Sequence, residues 1–327
     1  MHALDTAGLD CLAALAEAGS FDRAAQLLNI TQSAVSQRLR SLESQVGHPL
    51  VVRARPLRLT EPGKVLLRYA RQIQALRADA ARELGSTLAR DERLPIAVNA
   101  DSLATWVLPA LDPLVQAGQR EGYGLELIVD DQDFTHDWLR QGDVLGCVSS
   151  VSQALRGCLC QPLGLMRYIA VAAPSFIERA MPQGLTRSNF SQLPFIVFNR
   201  KDDMQAQWVS RAFGVREPRL KERYVPSSEA GARAAEMGWG VAVLPELLAR
   251  PHVASGALLP LLPDVTIDVA LHWHQWRLSG DDSGTNTAAN TAASTPTTGP
   301  ARTGLMDQIG AAVIAGARAA LSAVPAG

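Results

Sequence analysis

The chain has 327 residues and a formal net charge of −1, and 47% of its residues are hydrophobic. At roughly 150 residues per domain, this length predicts two or three domains, and the apolar fraction excludes wholesale disorder. No apolar stretch is long enough to span a bilayer, and the first residues carry no recognisable signal peptide. We therefore expect a cytoplasmic protein that has no membrane partner.

Capping residues divide the N-terminal segment into three predicted helices. Residues 4–18 have the apolar periodicity of a helix that ends at Gly19. Ser20 is a typical N-cap for a short second helix that runs through residue 28. Thr31 is the next N-cap, and the pattern predicts a third helix that continues to about residue 46.

The third helix, within the stretch "DRAAQLLNITQSAVSQRLRSLE", has an unusual polar face. Its apolar side chains share one face and would pack on the first two helices: Val35, Leu39, Leu42 and Val46. The opposite face, with Arg38 to its side, presents Gln32, Ser33, Ser36, Gln37 and Arg40. Such side chains suit base edges and phosphates, whereas a solvated face of a helical bundle, the alternative, usually mixes Glu and Lys. The pattern therefore predicts a helix-turn-helix whose second helix enters the DNA major groove.

A predicted wing follows this helix pair. Residues 51–53 and 57–59 can form two short strands between prolines, and three cations on them would reach the DNA backbone or minor groove: Arg53, Arg55 and Arg58. From residue 23 to residue 64 the cations exceed the anions by five, in a chain that is nearly neutral overall. This local charge supports binding to double-stranded DNA.

A long helix is predicted from about residue 61 to residue 84. Its apolar positions repeat at spacings of three and four residues, which predicts a coiled-coil dimer seam made of Leu66, Tyr69, Ile73, Leu76 and Ala80. The alternative is an ordinary amphipathic helix that packs on its own domain. The polar stretch at 85–93 reads as a hinge.

From residue 94 the pattern alternates between strands and helices, which predicts a mainly parallel α/β sheet with both faces covered. The predicted strands are 94–99, 125–129, 144–148, 168–172, 195–198, 223–225, 241–244 and 265–273. The predicted helices are 103–114, 134–140, 204–213, 229–236 and 306–324. Residues 279–300 have the composition of a flexible loop.

Two pairs of residues have spacings that metal sites also use. Cys158 and Cys160 would share one side of a strand, and so would His272 and His274. No third ligand is apparent for the histidines, so we favour aromatic packing there and ordinary buried thiols at the cysteines over a metal or redox site. We expect no metal and no cofactor.

The chain resembles a known family of regulators. "FDRAAQLLNITQSAVSQRLRSLESQVGHPLVVR" and "RLTEPGKVLL" are similar to the N-terminal domain of LysR-type transcriptional regulators. The stretches "NADSLATWVLPAL", "VFNRKDDMQAQW", "YVPSSEAGARAAEMGWGVAVLPE" and "HWHQWRL" extend the resemblance to the ArgP/LysG-like subgroup, which controls export of basic amino acids. The insertion at 279–300 departs from the usual pattern.

The resemblance implies a multidomain α/β protein with a winged helix-turn-helix at residues 1–61 and a linker helix and hinge at 62–90. Residues 91–327 would form an effector domain similar to periplasmic binding proteins. Its subdomain I would comprise 94–161 and 270–327, and its subdomain II would comprise 162–269.

Polar residues at strand ends and helix N-termini are the candidate effector ligands, because such positions suit carboxylates and collect ligands in α/β clefts. Helix N-termini and hydroxyls would hold a carboxylate, and acidic side chains would hold an ammonium or guanidinium. The candidates are Asp101, Ser102, Thr105, Asp130, Asp131, Asp133, Ser149, Asp202, Asp203, Ser227 and Ser228. A simple helix cap is the alternative for Asp101 and Ser102, and a solvated acidic loop is the alternative for the aspartates at 130, 131, 133, 202 and 203.

The resemblance points to L-lysine or L-arginine as effector, with histidine as an alternative, and to an exporter gene as target. The implied partners are promoter DNA, a basic amino acid and further copies of the chain in a dimer or tetramer, with RNA polymerase left open. We expect no enzymatic activity. Other hypotheses are a LysR-type regulator of a different metabolite, an enzyme fused to a DNA-binding domain, and an architectural DNA protein.

Overall fold

The computed structural model describes residues 5–52, 54, 57–84, 92–130, 135–277 and 304–323. None of the helices in these ranges is long and apolar enough to cross a membrane. Several predictions lie outside the described residues: those on Arg53, Arg55, Asp131 and Asp133, on the hinge at 85–91, and on the loop at 279–300.

The described helices are α1 (Thr6–Ala18), α2 (Phe21–Leu27), α3 (Gln32–Val46), α4 (Glu61–Glu83), α5 (Ala100–Ser102), α6 (Leu108–Glu121), α7 (Thr135–Gln141), α8 (Pro174–Ala180), α9 (Met204–Phe213), α10 (Ser228–Glu236), α11 (Glu246–Ala254) and α12 (Leu305–Ala320). A π-helical turn, Leu103–Val107, joins α5 to α6. The strands are β1 (Val51–Val52), β2 (Arg58–Leu59), β3 (Glu92–Asn99), β4 (Tyr123–Asp130), β5 (Gly146–Ser149), β6 (Cys158–Ala172), β7 (Pro194–Val197), β8 (Lys221–Tyr224), β9 (Val241–Pro245) and β10 (Leu259–Trp276).

Helices α2 and α3 meet at a sharp turn that local chemistry fixes. Asn29 has a φ angle of 52°, in the left-handed region that Asn adopts more readily than most residues. The hydroxyl of Thr31 then accepts the backbone N–H of Ala34 at 3.2 Å, which caps α3. Gly47 ends α3 with a φ angle of 76°. The buried side chains of α3, Leu39 among them, pack on α1 in the core of this domain.

The linker helix α4 packs on the winged domain with one face, which covers two of the five positions of the predicted dimer seam. Leu66 is only 8% exposed and belongs to the core of the winged domain, and Ile73 packs against the same core. Tyr69 and Leu76 are 54% and 44% exposed, and Ala80 is also exposed. Only these three predicted positions remain available to a partner, because the face that carries Leu66 packs within its own subunit.

The large sheet has eight strands in the order β4-β3-β5-β10-β6-β9-β7-β8. β3 pairs in parallel with β4 and β5, and β7 pairs in parallel with β8 and β9. β10 is antiparallel to β5 and β6, and β6 is antiparallel to β9. The sheet is therefore mixed, and the prediction of a mainly parallel sheet was wrong at its centre. There, β6 and β10 cross between the two parallel halves in opposite directions.

Several element boundaries also differ from the predictions. Residue 100 rather than 103 begins the helical segment that contains α5 and α6, and this segment continues to Glu121. Helix α12 ends at Ala320 rather than near residue 324. Helices α8 and α11 were not predicted. The subdomain boundaries stay a prediction.

Helix α4 also contacts the α/β domain of its own chain. Arg71 donates to the carbonyl oxygen of Gly142 and forms a 3.6 Å ion pair with Asp143, both just after α7. The guanidinium of Arg68 lies 5.4 Å from the centre of the Trp276 ring. The linker helix is thus attached to the sheet through a turn that follows α7.

Candidate effector cleft and DNA-binding surface

The face of α3 that is directed away from the core carries most of the predicted DNA contacts. Gln32, Ser33, Gln37 and Arg40 are exposed, and Ser36 is half-buried. The hydroxyl of Ser33 lies 2.9 Å from that of Thr31, at the helix start. Arg58 is exposed on the wing strand β2. These side chains form an open polar surface at the second helix of a helix-turn-helix.

Arg38, which was also predicted to contact DNA, is exposed at the side of this surface. Its guanidinium lies beside the buried thiol of Cys11 on α1. The position follows from helix geometry, because residue 38 flanks the face that carries Leu39 and Leu42. Arg38 therefore lies at the edge of the surface that Gln37 and Arg40 form, and its contact with DNA stays a prediction.

A cleft opens in the α/β domain where β3 and β7 end and where α5 and α10 begin. The carboxyl ends of parallel strands commonly hold ligands in such sheets. Four of the predicted effector residues line this cleft together, from both parallel halves of the sheet: Asp101, Asp202, Ser227 and Ser228.

Asp101 is the carboxylate at the floor of the cleft. The hydroxyl of Tyr168 donates to its Oδ2 at 2.7 Å. Burial raises the pKa of the Asp101 carboxyl, the nearby Ser228 and Tyr168 hydroxyls lower it, and the negative charge of Asp202 raises it. The Ser228 oxygen makes no well-formed hydrogen bond of its own. The carboxylate is surrounded by protein but keeps some solvent contact through the cleft.

Asp202 carries the second negative charge, and it also holds the loop that leads into α9. Its carboxylate oxygens accept the backbone N–H groups of Phe198 at 2.9 Å and Met204 at 3.0 Å, and the side-chain amide of Gln205 at 3.3 Å. Among the described residues that line the cleft there is no Lys, Arg or His. The two acids therefore face a site without a compensating cation from the lining.

Three further polar groups in the cleft lack hydrogen-bond partners among the described residues. Asn99 is 2% exposed, and both its amide nitrogen and its amide oxygen are unpartnered. The Oε1 of Gln205 and the hydroxyl of Ser228 are likewise buried without a hydrogen-bond partner. Buried polar groups normally have partners, so this concentration indicates a place for a polar ligand. The sequence analysis did not single out Asn99, Tyr168 or Gln205.

Five other predicted effector residues do not line the cleft, because their side chains are directed elsewhere. Ser102 is fully buried in α5. The Thr105 hydroxyl donates to the backbone oxygen of Asp101 at 2.6 Å. Asp130 accepts from the Trp138 indole at 3.0 Å.

The other two of the five, Ser149 and Asp203, have local partners. Ser149 accepts the backbone N–H of Val151 at 3.2 Å, and the exposed Asp203 accepts from the Gln207 amide at 2.7 Å. The structure thus places Ser102, Thr105, Asp130, Ser149 and Asp203 outside the lining of this cleft, and their role in effector binding stays a prediction.

The histidine and cysteine pairs lie close together on β6 and β10. The Nε2 of His274 lies 2.7 Å from the carbonyl oxygen of Val151, and burial lowers the pKa of His274 to about 4. Burial raises the pKa of the Cys158 thiol to about 12. Within the described ranges, no group of three or more His, Cys, Asp or Glu residues is placed to hold a metal ion. These features favour neutral, packed side chains.

A winged helix-turn-helix joined by a long helix to an α/β domain with a polar cleft defines a ligand-responsive DNA-binding regulator. Residues 7–64 match the family of bacterial regulatory helix-turn-helix proteins of the lysR type, and residues 89–280 match the LysR substrate binding domain. The chain belongs to the LysR family of transcriptional regulators.

Similar proteins indicate the subgroup of the family that this chain resembles. The chain is 42% identical over 283 residues to the HTH-type transcriptional regulator ArgP of Aeromonas salmonicida, across 85% of this chain and 92% of that protein. The crystal structure of ArgP from Mycobacterium tuberculosis is 36% identical, with a TM-score of 0.81, across 98% and 100% of the two chains. These relatives confirm the predicted fold class, the ArgP/LysG-like resemblance and a regulator rather than an enzyme.

A second solved structure bears on the cleft. Full-length LysG from Corynebacterium glutamicum, with bound effector Arg, is 32% identical and has a TM-score of 0.72, across 97% of this chain and 99% of that chain.

Proposed function

We propose that the effector of this regulator is a basic amino acid, L-arginine or L-lysine with L-histidine as the alternative, bound in the cleft at Asp101. One observation carries the proposal. Two carboxylates, Asp101 and Asp202, face a cleft whose described lining includes no cation. A ligand with one carboxylate and two cationic groups complements this charge, since a buried carboxylate without a counter-ion is unfavourable. The arginine-bound LysG supports the same ligand class.

The cleft and the DNA-binding helix are joined by α4, which contacts both parts of the chain. An effector that binds two assemblies with different affinity shifts the population between them, and so changes the geometry presented to a promoter. We propose a homodimer or homotetramer that regulates an exporter gene for the same amino acid. Contact with RNA polymerase stays a prediction.

DNA would be bound through Gln32, Ser33, Ser36, Gln37 and Arg40, with Arg58 and the other wing cations on the backbone. Arg38, exposed beside this face, is a further DNA contact in this proposal.

A thermal-shift screen of the purified protein against the twenty amino acids tests the effector. A ligand at 100 times its dissociation constant should stabilise the native state by about 2.7 kcal/mol. We expect a rise in melting temperature with arginine or lysine, and none with neutral or acidic amino acids. A response to neutral amino acids only, or no response from a well-folded sample, would contradict the proposal.

A further inference from the structure

The cleft continues into a second chamber. The inner chamber, at Asp101, has a cavity volume of about 70 Å³, which is below the roughly 300–1,000 Å³ of ordinary small-molecule sites. The outer chamber measures about 280 Å³ and shares Ala100, Phe198, Ser227 and Ser228 with the inner one. The two volumes together reach the lower end of the ordinary range. A ligand with its polar end in the inner chamber would therefore extend into the outer one.

The two chambers differ in chemistry. The inner chamber offers unpartnered donors and acceptors side by side: the amide of Asn99, the hydroxyl of Ser228 and the Oε1 of Gln205, next to the Asp101 carboxylate. This mixture matches the α-carboxylate and α-ammonium groups of an amino acid, which need donors and acceptors within a few ångströms of each other.

The outer chamber is apolar, apart from its rim. Besides the shared residues, its walls are Leu103, Ala104, Leu108, Val129, Pro226 and Glu229. Glu229 is exposed, lies in the first turn of α10, and is the one charged side chain among the described residues that line this chamber. An apolar passage that ends at a carboxylate complements an aliphatic chain that ends in a cation.

Asp202 is less suited to the terminal cation. Its oxygens already accept the N–H groups of Phe198 and Met204 and the amide of Gln205, so its free lone pairs are few. Its charge acts on the inner chamber, where it raises the pKa of Asp101.

We propose that the outer chamber is the side-chain subsite of the effector cleft, and that it selects ligands by length and terminal charge. The walls at Leu103 and Leu108 contact the methylene groups, and Glu229 receives the terminal ammonium or guanidinium. This assignment rests on the proposed function, since it requires a basic amino acid with its α-groups in the inner chamber.

Calorimetric titration of the full-length protein tests the subsite with a ligand series: L-lysine, L-ornithine, L-2,4-diaminobutyrate, L-arginine and L-citrulline. For the wild type we expect affinity to fall about fourfold for each methylene removed from lysine. E229Q should lower the affinity for lysine and arginine about fivefold and leave that for citrulline, whose side chain is uncharged, within about twofold, as expected for loss of one exposed charge pair. E178Q is the matched control, because Glu178 is exposed on helix α8 and lines neither chamber.

The outcomes separate the two proposals. If the wild type binds lysine and arginine but E229Q and E178Q bind them equally well, the outer chamber is not the side-chain subsite, while the proposed function stands. If affinity rises as the side chain shortens, the subsite is likewise wrong. If the wild type binds no basic amino acid, the proposed function fails and this assignment fails with it.

Discussion

At the scale of single residues, Asp101 combines burial with a negative charge that no cation among the described lining residues balances. Because its pKa is raised, the folded protein binds a proton there more tightly than the unfolded chain, whose aspartates titrate near about 3.9. Ionised Asp101 therefore lowers stability at neutral pH, and this loss disappears as the pH falls through the raised pKa. Residues that serve ligand binding commonly lower the stability of the ligand-free protein in this way.

We therefore expect D101N to raise the melting temperature of the ligand-free protein at pH 7.5 by a few degrees, and the difference from wild type to shrink on acidification. The control is D202N, which removes a charged acceptor of two backbone N–H groups and should destabilise the protein by about 1–3 kcal/mol. Differential scanning calorimetry measures both. A D101N variant that melts below the wild type at pH 7.5 would show that the carboxylate is stabilised by partners.

Helix α3 offers a second pair of residues for a matched comparison, Arg40 and Arg38. Arg40 is exposed on the polar face of α3, and Arg38 is exposed at the flank of the buried face, beside Cys11. R40A should weaken binding to a specific DNA site by about 1–3 kcal/mol, and R38A should weaken it less. Fluorescence anisotropy at fixed salt measures the difference. Equal losses in the two variants would count against the docking of α3 through the Gln32–Arg40 face.

The sequence predicts the cleft residues that begin helices better than those that lie in strands. Asp101 and Ser228 are recognisable because they follow strands and begin helices. Tyr168 is in the middle of a strand, and only the crossing of β6 between the two halves of the sheet brings it to Asp101. Asn99 could have been found, since it is the last residue of β3, but its burial without a partner is visible only in the fold.

At the scale of elements, the turn after α7 depends on a glycine that the linker helix approaches closely. A Cβ at Gly142 would lie 2.3 Å from the Cγ of Arg68, and Gly142 has a φ angle of 81°. Gly122 has nearly the same backbone, with a φ angle of 82°, but nothing lies within 4 Å of the Cβ position. Substitutions at the two glycines therefore distinguish the effect of backbone strain from the effect of the contact with α4.

Both G142A and G122A should lose about 1–2 kcal/mol through backbone strain. Only G142A should also loosen the contact between α4 and the turn, and so increase hydrogen–deuterium exchange around Arg68 and Arg71 in the full-length protein. Identical exchange in the two variants would mean that the α4 contact does not depend on this glycine.

Local signals predict the helices of the winged domain well and the long strands poorly. Thr31, Gly47 and Thr60 fix helix ends through their own caps, which depend on nearby residues only. β6 begins at Cys158 although Pro162 and Gly164 interrupt its strand pattern, because β10 pairs with it from Cys158 to Ala172. Such tertiary support has no local signature.

At the scale of the whole molecule, the exposed stripe of α4 is the part of the predicted seam that remains available for assembly. L76E places a charge on this stripe and should shift the protein from dimer or tetramer towards smaller species. L66A removes a side chain from the core of the winged domain, so it should cost about 2–5 kcal/mol of stability without separating subunits. Light scattering coupled to size-exclusion chromatography measures the mass of the assembly. If L76E has the same mass as the wild type, the exposed face of α4 does not form the subunit interface.

The relation between the two parts of the chain was only partly predictable. Composition and periodicity separate a helical N-terminal part from an α/β part, but they do not show that Arg68 and Arg71 bind the turn at Gly142 and Asp143. The two faces of α4 also look alike in sequence, because apolar residues occur on both. Only the packing on α1 distinguishes Leu66 from Leu76.

The central claim is that a basic amino acid binds at Asp101, and the most direct test is calorimetric titration of L-arginine and L-lysine into the wild type and D101N. We predict saturable binding of at least one of them to the wild type, with one site per subunit, and a loss of about 2–5 kcal/mol of binding free energy in D101N. Binding of equal strength to both proteins, or no binding to a folded wild type, would contradict the account.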